Sequence, residues 1–204
     1  MSEIYTVQRQ TAGGAVLPVQ RFDSIAISLH WLTLALIVAQ FSAGWLHVYL
    51  LAQSPDALQW PESQLVIAIH RSLGSLIWLV TLGRIVWRLG FASLPPFPEH
   101  MPKFQRRMAT ANEYALYALL LLQPLTGLAQ FLFRGRPFSL FFLTVPVAFP
   151  ADPLAVLWFH QIHRFGAFAM LALIAAHALA AVFHHYVLKD NMLKRMQPVW
   201  RIGS

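Results

Sequence analysis

The chain has 204 residues, 57% of them hydrophobic and 11% charged, with a mean hydropathy of +0.54, a formal net charge of +7 and no cysteine. That balance is too apolar and too poor in charge for an ordinary soluble domain and reads as an integral membrane protein. Without cysteine there can be no disulfides, thiolate metal sites, iron–sulfur clusters or C-x-x-C-H haem attachment, so any metal chemistry falls to the nine histidines.

Residues 1–22 read as a flexible tail, polar and broken by Gly13, Gly14 and Pro18, with no short apolar region or small-residue site for signal cleavage. Four apolar segments follow, at about 25–50, 65–89, 114–133 and 155–187, each near or above the roughly 20 residues that cross a bilayer. Asp23 or Ser24 is placed to cap the first. The stretch SPDALQWPES turns the chain on the outer side, and FASLPPFPEHMPKFQRR, with four prolines, reads as an extended strap on the inner side. In the third segment, Pro124 and Gly127 predict a bend and a patch without side chains, which close helix packing explains better than a flat group laid against it. Proline breaks the loop from Arg134 to Pro153. No internal repeat is visible. The expected architecture is an all-α, integral membrane four-helix bundle over residues 23–190, followed by a cytoplasmic tail over 191–204.

Orientation follows from lysine and arginine near the span ends. With the N-terminus inside, the inner side collects Arg9, Arg21, Arg84, Arg88, Lys103, Arg106, Arg107, Lys189, Lys194, Arg195 and Arg201, eleven of the fifteen. Arg71, Arg134, Arg136 and Arg164 lie outside. Both termini are therefore expected in the cytoplasm, and the positive charge reflects orientation and lipid headgroups; it does not imply nucleic acid.

Histidines within membrane spans are costly and are functional candidates by default. His163 and His177 are 14 residues apart, 40° short of four full turns at 100° per residue and about 21 Å along one helix face. They can serve two sites at different depths but not one ion. His30 matches the depth of His177, and His70 that of His163. Two imidazoles on facing helices, with nothing further, suit bis-histidine haem b better than a four-coordinate zinc site. The metal ligands expected are His30 with His177 for an inner haem iron, and His70 with His163 for an outer one.

Arg84, 14 residues after His70, lies at the inner depth, where it could pair with haem propionates or snorkel to the interface; for Arg88 snorkelling is the better reading. His160, one turn before His163, is about 100° off the face of His177 and is set aside. His47 and His100 read as interfacial or loop residues. His184, seven residues after His177, could bond a quinone carbonyl at the cytoplasmic boundary or simply be solvated; His185 points elsewhere.

SLHWL at 28–32, AIHRSLG at 68–74 with RIVWR at 84–88, YALLLLQPLTG at 117–127 and HRFGAFAMLALIAAHALAAVFHHYVLKDNMLKRM at 163–196 resemble the bacterial cytochrome b561 family of four-helix di-haem membrane cytochromes. The resemblance reaches all four helices. It implies two haem b groups on His30, His70, His163 and His177, a place in the bacterial inner membrane, and electron transfer with the ubiquinone pool, with His184 at the quinone site. Some relatives pass electrons from superoxide outside to ubiquinone, which would make the chain a superoxide:ubiquinone oxidoreductase. Where the family often carries a histidine on the third helix, this chain has Glu113. Asp56, Glu62 and Asp152 offset three of the four outer arginines, which weakens the attraction of an anion.

The function expected is a transmembrane di-haem cytochrome b exchanging electrons with ubiquinone. The alternative is a membrane haem subunit serving an external redox protein as an electron carrier. A histidine-lined metal-ion or proton transporter is a further alternative, disfavoured because the histidines divide into two levels and acids are nearly absent from the spans.

Overall fold

Asp23 begins the first helix: its Oδ1 accepts the N–H of Ala26 at 2.8 Å, satisfying one of the donors a helix start leaves free. The computed structural model describes residues 11–12, 15–16, 20–98, 101–190 and 192–197. Arg9, His100, Arg201 and most of the two tails lie outside the described residues. Within the N-terminal stretch, β1 (Thr11–Ala12) and β2 (Ala15–Val16) pair antiparallel.

Four helices are long and apolar enough to cross a membrane: α1 (Ser24–Leu51), α2 (Pro61–Gly90), α3 (Lys103–Leu132) and α4 (Pro153–Phe183), which runs on into a wider π turn at His184–Leu188. Pro61 and Pro153 stand at helix starts, where a missing N–H costs nothing. Asp152 caps α4, its Oδ1 accepting the N–H of Ala155 at 3.0 Å.

Helix α3 begins eleven residues before its apolar segment, and this corrects the strap predicted up to Arg107. Past Pro102, the run KFQRRMATANE contains no proline or glycine and is rich in good helix formers. Arg106 ties the turn down by donating to Met101 O at 2.9 Å and Pro98 O at 2.8 Å. Residues 92–98 carry no regular secondary structure.

The loop after α3 is not wholly irregular either. β3 (Phe138–Leu140) and β4 (Leu143–Val145) form a hairpin that sits on α2, with Arg71 Nε donating to Ser139 O at 2.8 Å and Phe141 N donating to Ser72 Oγ at 2.6 Å.

The helices pack as two hairpins, α1 on α2 and α3 on α4, joined mainly through α2 and α3. Ile77, Leu120 and Met170 form the buried centre, with Leu36, Ile37, Phe41, Leu119 and Ile174 around it. Ile77 lies seven residues from both His70 and Arg84, and Met170 seven from both His163 and His177, so this apolar layer divides the bundle into two levels. Large apolar side chains such as Val38, Val48, Leu79, Val86 and Leu179 point outward, as a bundle surrounded by lipid requires.

Both ends of the four-helix run lie at one end of the bundle. There Phe22 N donates to Arg195 O at 3.3 Å and Trp31 Nε1 to Met196 O at 2.8 Å, so residues 192–197, read from sequence as tail, pack against the start of α1.

Candidate functional site

The two levels each hold one imidazole pair. At the end where α1 starts, the ring centres of His30 on α1 and His177 on α4 are 6.2 Å apart. At the end bearing the β3–β4 hairpin, those of His70 on α2 and His163 on α4 are 6.1 Å apart. Two imidazoles sharing one metal, each with its nitrogen about 2 Å from it, have ring centres roughly 6 Å apart. Among the described residues no group of three or more His, Cys, Asp or Glu could hold a bare ion. A pair of imidazoles at this spacing with no third ligand fits a planar macrocycle that brings four nitrogens of its own.

The hairpin-end pair is held by a module that occurs twice. His70 Nδ1 lies 3.2 Å from the carbonyl oxygen of Gln40, and His163 Nδ1 3.1 Å from that of Gln123. A carbonyl only accepts, so each Nδ1 carries the proton and each Nε2 presents its lone pair, the tautomer an axial ligand needs. Four residues after each glutamine stands a glycine. A Cβ at Gly44 would come within 3.1 Å of His70 Cε1, and one at Gly127 within 3.0 Å of His163 Cε1. A second glycine on each partner helix admits the glutamine side chain: Gly74 against Gln40 at 3.2 Å and Gly166 against Gln123 at 2.7 Å.

This module overturns two expectations. The patch at Gly127 makes room for an imidazole where helix packing alone was expected. The chain also carries an internal repeat: Q-x-x-x-G at 40–44 and 123–127, and H-R-x-x-G at 70–74 facing H-R-x-G at 163–166. Thr126 Oγ1, 3.1 Å from His163 Nδ1, adds a contact the α1–α2 half lacks. Gln40 Nε2 stands 3.1 Å from His70 Nε2, while the buried Gln40 Oε1 has no partner among the described residues, an unsatisfied group beside the paired imidazoles.

His30 and His177 make no hydrogen bond among the described residues. The Arg84 guanidinium stands 5.3 Å from the centre of the Tyr117 ring. It lines a cavity with Phe22, Leu29, Trp87, Tyr117 and Met196, and pairs with no carboxylate among the described residues. Arg88 binds Glu113 at 2.7 Å, which gives the acid found at that place on α3 a partner.

The other histidines separate as follows. His160 turns to Gln130, its Nδ1 3.2 Å from Oε1, and takes no part in the His70–His163 pair. His184 is mostly buried and its Nδ1 bonds Asp190 Oδ2, so the solvated alternative does not hold. His185 stacks edge-on to Tyr186 at 4.7 Å, and the Nδ1 of His47 is buried without a partner among the described residues.

Arg71 and Arg134 share the Phe131 ring, 4.4 and 4.3 Å from its centre, at the hairpin end. Burial, together with the charge of Arg136, pushes the Arg134 pKa down. Among the described residues, no ion pair joins Asp56, Glu62 or Asp152 to an arginine.

Residues 21–198 match the family model for prokaryotic cytochrome b561. The chain is 33% identical over 181 residues to cytochrome b561 homolog 1 of Escherichia coli (strain K12), covering 87% of this chain and 97% of that one. It is 31% identical over 180 residues to the probable superoxide oxidase CybB of Yersinia pestis, covering 88% and 97%. To cytochrome b561 homolog 2 of Escherichia coli (strain K12) it is 28% identical over 178 residues, covering 87% and 91%. The chain belongs to the prokaryotic cytochrome b561 family, and so is a multi-pass membrane haem protein.

Proposed function

We propose that the chain binds two haem b groups, one between His30 and His177 and one between His70 and His163, and carries electrons across the bacterial inner membrane to ubiquinone. The observation that carries this reading is the two imidazole pairs, 6.2 and 6.1 Å across, on either side of the Ile77, Leu120 and Met170 layer.

Haem, when bound, supplies one-electron exchange at iron. The protein's part is to hold and insulate. Gln40 and Gln123 fix the tautomer of the hairpin-end imidazoles through their carbonyls. The apolar middle layer keeps water and ions from crossing between the levels, which argues against a transporter, whose polar site belongs at mid-depth. Arg84, with no acid partner among the described residues, is assigned to the propionates of the His30–His177 haem.

The lysine and arginine bias puts the termini in the cytoplasm, so His184 meets quinone on the inner side and Arg71, Arg134, Arg136 and Arg164 face outward. Superoxide is proposed as the outer electron donor. The similarity to a probable superoxide oxidase supports this, as do outer arginines left without acidic partners among the described residues. Haem quantification on the purified protein, followed by reduction with generated superoxide and reoxidation by a ubiquinone analogue, tests the reading. Haems that quinone reoxidises but superoxide does not reduce would assign the donor to an external redox protein.

A further inference from the structure

The His184–Asp190 pair sits where α4 gives way to the π turn at His184–Leu188. The chain then passes Lys189, whose φ of 55° is left-handed, and folds Asp190 back beneath the turn. The Asp190 side chain is 1% exposed and that of His184 12%. Both carboxylate oxygens are engaged: Oδ2 by His184 Nδ1, and Oδ1 by the N–H of Met192 at 3.1 Å. A carboxylate only accepts, so Nδ1 must be the donor, and Nε2 is the ring nitrogen left to act on another molecule. Among the described residues, Arg195 is a charged group on a neighbouring segment that faces Asp190; His185 and Lys189 belong to its own stretch. Arg195 is held in turn through its bond to Pro96 O at 2.6 Å.

We infer that Asp190 is a positioning residue that makes His184 the proton donor to quinone, a role that rests on the quinone reading above. Reducing a quinone to a quinol takes two electrons, arriving one at a time from the haem proposed between His30 and His177, and two protons. One proton comes from His184: its Nε2–H bond breaks as an O–H bond forms on the reduced carbonyl oxygen. The imidazole is left neutral, its Nδ1–H still held by Asp190, and regains a proton from water at the cytoplasmic boundary. By holding Nδ1, Asp190 keeps Nε2 aimed throughout. The second proton reaches the other carbonyl from solvent.

The test uses full-length, haem-loaded protein and a short-chain ubiquinone analogue, with haem reoxidation followed from acidic to alkaline pH. Asp190→Asn should keep its haem content and quinone KM, slow maximal reoxidation roughly ten- to hundredfold, and flatten the pH profile; Asp190→Glu should recover part of both. If Asp190→Asn does not hold haem, His184→Gln, which can still hydrogen-bond quinone but cannot ionise, should show the same loss of rate and flattened profile. An unchanged rate and profile in the variant that retains haem would overturn the inference while the quinone reading stands. So would equal slowing in Asp190→Asn and Asp190→Glu with an unshifted profile, which marks a structural role. Failure of quinone to reoxidise the wild-type haems would overturn both.

Discussion

His163 Nδ1 lies 3.1 Å from the main-chain oxygen of Gln123, and the ring is wedged against Gly127 on the same helix α3. The glutamine fixes which nitrogen is protonated, and the glycine fixes where the ring can sit. His70 has the same two supports in Gln40 and Gly44, so the orientation of both hairpin-end imidazoles is built into the hairpins themselves.

Gly127→Val should therefore remove one haem and leave the other. A branched side chain whose Cβ already lies 3.0 Å from His163 Cε1 must push the ring out of line with His70. Haem per chain is expected to fall from two towards one, with the remaining spectrum that of the His30–His177 centre. Two intact haems in this variant would show that the glycine is not needed to seat the ring.

Removing the Arg88–Glu113 bridge should cost little stability. The two side chains are 25% and 37% exposed, and partly exposed pairs contribute about 1 kcal/mol or less. Thermal loss of haem absorbance in Glu113→Ala should occur within a few degrees of wild type, by roughly this energy. A large drop would mean that Glu113 supports more than Arg88.

The caps of α1 and α4 should differ in value. Each Asp→Ala change removes a capping bond worth about 1 kcal/mol. Asp23 Oδ1 also accepts from Trp87 Nε1 at 3.0 Å and so ties α1 to α2. Denaturation in detergent should find Asp23→Ala more destabilising than Asp152→Ala, by about 0.5–1.5 kcal/mol. Equal losses would show that the tryptophan bond adds nothing.

Orientation can be checked without reference to haem. Reporter fusions at each terminus and in the β3–β4 loop should show both termini inside and the loop outside, as the lysine and arginine bias requires. A loop reporter active on the cytoplasmic side would reverse the proposed direction of electron flow.

The four spans and the depth matching of the histidines were legible in the sequence, because apolar length and a rise of about 1.5 Å per residue are local properties. The early start of α3 was not, since prolines up to Pro102 mask the helix-forming run from Lys103. The hairpin at 138–145 hid in a loop where apolar residues carry no clear alternation. The glutamine–glycine–histidine module is split between partner helices, so its repeat becomes meaningful only once α1 meets α2 and α3 meets α4. Nothing in the sequence around Asp190 marks it out, and only the left-handed turn at Lys189 brings it back to His184.

Haem quantification with redox difference spectra, on wild type and on His30→Ala and His70→Ala, tests the central claim most directly. Two low-spin b haems in wild type, falling to one in each variant with different spectra remaining, is the predicted result. A colourless protein, or a single haem lost in both variants, would contradict two separate bis-histidine sites.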